Sequence, residues 1–414
     1  MHRIPLELIS YIISFLRDDN AALSACSLCC SSFACASRPL LFHTLRTRLY
    51  FEPTDRLERL LELEPTVLPL IKRIEVTILS FLNIVDTIQT VSQIATRCHK
   101  EYTSLPLALN LAIAPTRPSP PLENSTLLRL HPLFDWVTSL ELDGLNLAQD
   151  THFWDLVLSF RALKSLVLGH VHVGEAGGDA PSHRKSKISH VSLRPSALAG
   201  LNSNIYRFLA DHPIPLPSLT SLDVRFPLLI DRTPVRFGGH YGPSVRALRF
   251  GIQVIRHLTA AHTRVDSKTP LPHFTCHTVL TLHIKAAGEF ISQFNNLEEL
   301  TFQGLVPHKP QPEKIPVTFE WIPIILCRVT PTIRKFTMET VADDLSRLDF
   351  IPWSAIDEIL AHQLQSVITV EILLATPIGT RRLLDNVYQD VGKKLPLAAQ
   401  RGILRCVAVA KHPD

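Results

Sequence analysis

The chain has 414 residues, with an apolar fraction of 46%, a charged fraction of 19% and a formal net charge of +4. This composition predicts a globular protein and argues against intrinsic disorder. The small net charge, without any run rich in lysine and arginine, predicts no nucleic-acid partner. No apolar run approaches the roughly 18 residues that a membrane helix needs, so no membrane partner is predicted either.

The first predicted element is a helix that starts near Pro5. Proline suits the first helical position, where its missing N–H costs nothing, and Glu7 interacts favourably with the positive end of the helix dipole. Apolar side chains then recur at helical spacing in a stripe too wide for one small core: Leu8, Ile9, Ile12, Ile13 and Leu16. Glu7 interrupts the apolar stretch, which argues against a secretory signal peptide.

Two more short helices are predicted before residue 45. Residues 18–20 offer caps for a second helix through Leu23 and Cys26. A third helix is predicted to carry Leu28, Cys29 and Phe33 and to end at Arg38-Pro39. Three short helices in about forty residues cannot bury enough surface to stand alone, so the excess apolar stripe must contact the rest of the chain or a partner.

This stretch resembles an F-box, the helical module that docks onto the Skp adaptor of cullin–RING ubiquitin ligases. The matching parts are Pro5-Leu6-Glu7-Leu8, the spacing of Ile12 and Leu16, and the segments 27–33 and 38–42. The family more often has Val at the position of Cys29, Arg at Ser31 and Trp at Phe33. The resemblance implies that the adaptor is contacted by Pro5, Leu6, Leu8, Ile9, Ile12, Leu16, Leu28 and Phe33. The alternative is an ordinary helical cap on a repeat domain.

After a short amphipathic helix predicted over residues 54–63, the pattern apolar-x-x-apolar-x-apolar recurs to the end of the chain. Its clearest copies lie at 137–142, 163–168, 219–224, 245–250 and 297–302. Weaker copies lie at 71–76, 188–193, 279–284, 333–338, 367–372 and 404–409, with one more over 106–111. The last three residues of each copy alternate, which predicts a strand with one buried face. Equivalent core positions are Leu140, Leu166, Leu222, Leu248, Leu282 and Leu300.

Helical stretches separate these strands, at 84–98, 153–160, 198–209, 289–294, 319–327, 353–362 and 381–391. Strand–helix repetition at intervals of about 25–37 residues resembles leucine-rich repeats, whose usual length is about 20–29 residues. Stacked repeats, rather than separate domains, would account for the length of the chain. Glycine- and proline-rich loops are predicted at 174–187, 232–243 and 307–316.

The residues that flank the apolar strand positions are predicted to point away from the core. Four basic residues at such positions form a predicted band that could bind an acidic or phosphorylated target: Arg194, Arg225, Arg249 and Lys285. The alternative is a solvated sheet face that carries mixed charge.

Metal and catalytic motifs give weaker signals. Eight cysteines occur, four of them between Cys26 and Cys35, but helical geometry directs Cys29 away from the face that Cys26 and Cys30 share. A second cluster lacks the paired spacing of a zinc finger: His257, His262, His273, Cys276 and His277. The other cysteines are scattered, which favours a reducing compartment, the cytoplasm or nucleus. No nucleophile elbow, phosphate loop, dinucleotide fingerprint or zincin motif occurs, so neither a metal, a cofactor nor an enzymatic activity is predicted.

The sequence therefore predicts an α/β chain, with an F-box-like three-helix module over 1–45, a linker helix over 46–64 and a leucine-rich-repeat-like solenoid with a curved parallel sheet over 65–414. The resemblance implies a non-catalytic substrate receptor of a Skp–cullin–F-box ubiquitin ligase, which binds a Skp-type adaptor and, through it, a cullin. Its repeat domain would bind a protein target. The alternatives are an interaction scaffold of the same fold without a role in ubiquitination, and an enzyme with an unrecognised site.

Overall fold

The chain divides into two compact units, Met1–Lys187 and Ile188–Asp414. The computed structural model describes residues 4–17, 19–49, 55–62, 67–80, 85–101, 107–115, 128–147, 150–169, 171–173, 186–194, 208–211, 213, 216–226, 233–252, 276–305, 319–341, 345–376 and 383–410. The predicted helix over 198–209 and the predicted loops at 174–187 and 307–316 lie mostly or wholly outside these residues.

The first unit begins with three helices: α1 (Leu6–Ser14), α2 (Asn20–Cys29) and α3 (Ser31–Leu41). The side chain of Asp19 caps α2 by accepting a hydrogen bond from the N–H of Ala22 at 2.9 Å. Two details of the prediction are wrong. Leu28 and Cys29 belong to the second helix, because the chain is extended at Cys30. Pro39 lies inside α3, which continues to Leu41.

The interior of this three-helix module is small. Ile9 and Ile13 of α1 and Leu23 of α2 are buried together. Partly buried side chains surround them: Leu16, Cys26, Phe33, Ala36, Leu40 and Leu41. Ile13 and Leu23 are 1% and 0% exposed, so one face of α1 is fully used by packing within the module.

The rest of the first unit is a parallel sheet with helical connections. Its strands follow one another in chain order as β1 (Thr44–Leu49), β2 (Arg73–Ile78), β3 (Ala108–Ile113), β4 (Val137–Leu142) and β6 (Ser165–Leu168). Two further strands, β5 (Leu145–Leu147) and β7 (Val171–Val173), form a separate parallel pair. The helices are α4 (Asp55–Glu62), α5 (Val85–Glu101) and α6 (Asp150–Ser159).

The second unit repeats this arrangement. Its parallel strands are β8 (His190–Leu193), β9 (Ser221–Phe226), β10 (Ala247–Ile252), β11 (Glu299–Leu305), β12 (Lys335–Val341), β13 (Thr369–Thr376) and β14 (Leu404–Ala410). Its helices are α7 (Thr233–Tyr241), α8 (Cys276–Ile291), α9 (Trp321–Leu326), α10 (Trp353–His362), α11 (Leu383–Lys394) and α12 (Pro396–Gln400).

The repeated apolar pattern places equivalent side chains on neighbouring strands. Leu140 lies opposite Leu166, and Leu248 lies between Leu222 and Leu300. All five are at most 2% exposed, because alternation along each strand directs them to the covered face of the sheet. The predicted mixed α/β class and parallel strands are therefore confirmed, and the chain-order connections are consistent with a solenoid-like fold.

Three predictions in the second unit are wrong. The copy at 279–284 is part of α8, so Leu282 and Lys285 are helical. The last copy is shifted, because Leu404 rather than Val407 pairs with Val370, and Val407 is 40% exposed. The predicted loop at 232–243 contains α7.

Gly238 of α7 and Gly242 of the turn after it lie close to α8 and to the residues that directly follow α8. A Cβ at Gly238 would lie 3.0 Å from the ring of Phe290, and one at Gly242 would lie 2.6 Å from the carbonyl oxygen of Gln293. At Gly242 only a residue without a side chain allows this approach, whereas at Gly238 a side chain would require a small shift of Phe290.

Candidate functional site

Helix α1 has a second apolar face that the module does not cover. Residues on this face share the helical spacing of three and four positions. Their exposed fractions are 58% for Ile4, which immediately precedes the helix, 51% for Leu8, 63% for Tyr11, 51% for Ile12 and 72% for Phe15. We call these five residues the outer face of α1.

The outer face lies nearly opposite the buried residues of the same helix. Successive helical residues are rotated by about 100°, so Leu8 and Phe15 fall on one side of α1 while Ile9 and Ile13 fall toward the other. The polar residues Glu7, Ser10 and Ser14 occupy the remaining arc and are exposed. A helix with two apolar faces needs two apolar environments, and the module supplies one of them.

Local contacts order the end of this face. The rings of Tyr11 and Phe15 meet edge to face, with centroids 5.0 Å apart. At the end of α2, Leu28 is 85% exposed and adds a further uncovered apolar side chain to the module.

Seven of the eight residues predicted to contact an adaptor fall into two groups. Exposed side chains belong to Pro5, Leu6, Leu8, Ile12 and Leu28. Leu16 and Phe33 are partly buried against the interior of the module. Their role in binding an adaptor stays a prediction.

Ile9 requires a correction. It is 5% exposed and forms part of the interior, so it cannot contact a partner while the module is folded. Ile4, Tyr11 and Phe15 are not among the residues predicted to contact an adaptor, but their helical spacing places them on the same exposed face as Leu8 and Ile12.

Several positively charged side chains lie near His43, just after the end of α3. The pKa of His43 is lowered, first by burial and then by the positive charges of Arg17, Arg73 and Lys72. The imidazole is therefore neutral at neutral pH, within a cationic local environment. Its Nδ1 lies 3.2 Å from the hydroxyl of Thr44.

The uncovered face of the second unit's sheet carries mixed charge. Arg249 donates a hydrogen bond to Glu339 and lies 3.9 Å from a carboxylate oxygen of Asp223. Lys335 pairs with Glu371 at 2.8 Å. Oppositely charged side chains therefore pair with one another across the strands of this face.

The predicted basic band does not form as a row of four. Lys285 lies on α8, and the charge of Arg249 is offset by two carboxylates. Arg194 is exposed just after β8, and the side chain of Arg225 lies outside the described residues. Whether any of these residues binds a target stays a prediction.

The first unit also contains an open cavity of about 530 Å³ beside the turns that precede β4 and β6. Phe134 and Phe160 form part of its wall, with ring centroids 5.0 Å apart. Arg161 and Asp135, 3.7 Å apart, are both largely exposed at its rim. Its lining contains no residue pattern that points to a particular ligand.

Metal ligands do not converge in the part of the chain that the structure describes, where no group of three or more His, Cys, Asp or Glu side chains could hold an ion. This includes the cysteines of the three-helix module, of which Cys29, Cys30 and Cys35 are exposed. The side chains of the second candidate cluster, from His257 to His277, lie outside the described residues. Among the helices of the described residues, none is both long and apolar enough to cross a membrane.

Comparison with known proteins yields little. No protein-family model matches the chain, and no curated protein matches it. Among solved structures, the chain is similar to one in the crystal structure of the Rad7 and Elc1 complex in yeast, with 16% sequence identity and a TM-score of 0.34. That match covers 98% of this chain and 93% of the other. A likeness at this score establishes neither a family nor a function.

Proposed function

We propose that the chain is the substrate-receptor subunit of a Skp–cullin–F-box ubiquitin ligase. In this proposal the three N-terminal helices bind a Skp-type adaptor, which connects the chain to a cullin. The repeats bind a protein target. The chain performs no chemistry itself and acts by raising the effective concentration of the target near the ubiquitin-conjugating enzyme.

The outer face of α1 is the observation that carries this proposal. Five large apolar side chains, each at least half exposed, lie on one side of a short helix. Complete burial of one such side chain is worth roughly 1.5–3 kcal/mol, so a partner that covers even part of each gains several kcal/mol. Scattered apolar residues are normal on a protein surface, but a contiguous apolar patch marks an interaction site.

The division of α1 into two apolar faces also supports an adaptor over a simple cap. A cap would direct its apolar side chains into the module and the sheet that follows. Here Ile9 and Ile13 perform that packing, and Leu8, Ile12 and Phe15 remain uncovered. The outer face is therefore surplus to folding of the module.

The test is co-purification with a Skp-type adaptor and a cullin. Ile12→Asp together with Phe15→Asp should abolish capture of the adaptor, because two carboxylates would be buried in an apolar interface. These two residues are chosen since both are exposed, whereas Leu16 packs against the interior and its substitution would also affect folding. Stability, measured by thermal unfolding, should change little.

Ser10→Asp together with Ser14→Asp is the matched control, since it adds the same two charges to the polar side of the same helix. It should leave adaptor capture unchanged. Capture that survives the Ile12 and Phe15 substitutions would contradict the proposal. Absence of any adaptor with the native chain would favour an interaction scaffold without a role in ubiquitination.

A further inference from the structure

Three arginines lie on the uncovered face of the first unit's sheet, on the neighbouring strands β1 and β2. Arg46 and Arg48 are exposed and flank Thr47, which is 6% exposed and points to the covered face. Arg73 is the exposed first residue of β2, in which buried and uncovered residues alternate. Because side chains alternate along a strand, all three arginines point away from the covered face. We call them the arginine row.

The arginine row is evenly spaced along the strand direction. Arg73 lies opposite Thr44, so it is level with the residue two positions before Arg46, and Arg48 follows two positions after. Two residues along a strand correspond to about 6.6 Å. The three arginines therefore recur at the spacing of alternate residues in an extended chain.

The arginine row carries more positive charge than the carboxylates beside it offset. Among the described residues, Glu75 is the carboxylate that pairs with the row, at 2.8 Å from Arg46 and 3.8 Å from Arg73. In the same part of the chain, Arg48 has no ion-pair partner. The second unit differs, because there Arg249 alone lies near two carboxylates.

Positive charge continues at the start of β1. The carbonyl oxygen of His43 accepts hydrogen bonds from the N–H groups of Lys72 and Arg73, both at 3.0 Å, which fixes the two basic residues beside it. The pKa of His43 is lowered first by burial and then by the positive charges of Arg17, Arg73 and Lys72. The arginine row thus belongs to a larger cationic region of the first unit.

The next strand, β3, leaves room beside the arginine row. Its residues on the uncovered face are half-buried, uncharged and small or medium in size: Ala108, Asn110 and Ala112. None of them is long enough to cover the arginines of the neighbouring strands. An extended segment could therefore lie along the row without displacing a bulky side chain.

We propose that the arginine row binds an extended segment of a target protein that has Asp or Glu at three alternate positions. Side chains at alternate positions of an extended segment point the same way and are about 6.6 Å apart, which matches the row. Guanidinium groups bind carboxylates through paired hydrogen bonds, and Glu75 already binds Arg46 in this way through Nε. The inference rests on the proposed function in taking the occupant to be a protein target.

The distribution of charge favours an acidic segment over other anions. A phosphoryl group concentrates its charge at one point and suits arginines that converge on it, whereas these arginines are spread along the sheet. Single-stranded nucleic acid is bound with the help of aromatic side chains that stack on bases. No aromatic residue lies on the uncovered face of β1, β2 and β3 among their described residues.

The first test measures binding of labelled peptides to the full chain by fluorescence anisotropy. One peptide has glutamate at three alternate positions with threonine between them. The comparison peptide has the same composition with its three glutamates adjacent. The native chain should bind the alternating peptide more tightly, because only that peptide places its carboxylates at the spacing of the row, and added salt should weaken the binding.

Arg48→Glu is the decisive variant, since Arg48 is exposed and forms no ion pair among the described residues. It should raise the dissociation constant of the alternating peptide about three- to tenfold, because an attraction becomes a repulsion. Arg161→Glu is the matched control. It makes the same change in net charge at a side chain of the first unit that is 83% exposed, and it should leave the dissociation constant unchanged.

A charge swap shows that any loss in Arg48→Glu comes from a lost contact and not from misfolding. Arg48 is at one end of the arginine row, so it should meet a terminal glutamate of the alternating peptide. A peptide with lysine at that terminal position should bind Arg48→Glu more tightly than the all-glutamate peptide does. Lysine at the opposite end should not restore binding, and the end that does gives the direction of the segment.

Several results would overturn the proposal. They are no preference of the native chain for the alternating peptide, an Arg48→Glu variant that binds it as the native chain does, and no restoration by lysine at either end. Tighter binding of a peptide with a single phosphoserine, or of a single-stranded RNA oligonucleotide, would assign the arginine row to that ligand and would likewise overturn it.

The outcome is separable from that of the adaptor test. Arg48→Glu should still capture a Skp-type adaptor, because the substitution lies outside the outer face of α1. The variant with Ile12→Asp and Phe15→Asp should still bind the alternating peptide. Failure of the peptide to bind would therefore leave the adaptor proposal standing, and failure of adaptor capture would leave the peptide result standing.

Discussion

Arg249 on β10 forms an ion pair with Glu339 on β12, so its side chain crosses the intervening strand β11. Asp223 on β9 lies on its other side, at 3.9 Å from the guanidinium. A single arginine thus links carboxylates from both directions across the uncovered face of the sheet. The charge of Arg249 is therefore offset by two carboxylates on this face.

This ion pair should contribute little to stability. The side chains of Arg249 and Glu339 are 48% and 27% exposed, so water and salt screen their attraction. A double-mutant cycle with Arg249→Ala and Glu339→Ala, measured by urea unfolding, should give a coupling energy below about 1 kcal/mol. The coupling should fall further at high salt. A larger coupling that salt does not change would contradict this view of the face.

The buried leucines that lie opposite one another on β9, β10 and β11 should contribute much of the stability of the second unit. Leu222 and Leu248 are 0% and 1% exposed and lie opposite each other on β9 and β10. Truncation of either to Ala should cost about 2–5 kcal/mol, because each leaves a cavity in a packed core. The double variant should depart from additivity, since the two positions are neighbours. Glu299→Ala on the exposed face should stay within about 0.5 kcal/mol of the native chain.

Asp357 should stabilise the end of the chain through two backbone hydrogen bonds. Its carboxylate is 2% exposed and accepts from the N–H groups of Leu397 and Ala398, at 2.8 and 3.0 Å, at the start of α12. Asp357→Ala should cost about 1–3 kcal/mol, because it leaves buried donors without an acceptor. Asp357→Asn retains one acceptor oxygen and should cost less. If both variants lost the same stability in thermal unfolding, the hydrogen bonds of Asp357 would not be the cause of the loss.

His190 should make the stability of the second unit sensitive to acid. Its pKa is lowered from the ordinary value of 6.5, mainly by burial, which outweighs the attraction of Asp223, and Arg249 lowers it further. Well above pH 6.5 the residue is neutral in both states and contributes nothing to the pH dependence. As the pH falls below that value, the unfolded chain binds a proton before the folded chain does, so the free energy of unfolding decreases.

His190→Gln should therefore reduce the slope of the free energy of unfolding against pH on the acid side of 6.5. Glutamine retains a polar group that can reach the hydroxyl of Ser221, which lies 3.0 Å from Nδ1 in the native chain. Urea unfolding at a series of pH values checks this expectation. An unchanged slope would assign the acid sensitivity to other groups.

The local sequence was sufficient to predict an element wherever its apolar residues followed either the helical or the strand period alone. The bounds of α10, residues 353–362, agree with the prediction, because apolar residues there repeat at helical spacing and Pro352 precedes the first turn. The alternating triplets around Leu140, Leu222 and Leu300 likewise determined that these residues form strands with one buried face. In each case the periodicity of the segment's own apolar residues agrees with the element that it forms.

Tertiary structure decided the features that depend on distant neighbours. The segment around Leu282 has the same apolar spacing as a strand copy, but it belongs to α8, which α7 approaches closely at Gly238. The apolar stripe predicted for α1 contains both Ile9, which is buried, and Leu8, which is not. Sequence alone determined that α1 has more apolar surface than a small module can bury. Only the packing of α2 and α3 against one side decided which residues remain for a partner, because burial is set by which neighbour covers a residue and not by its type.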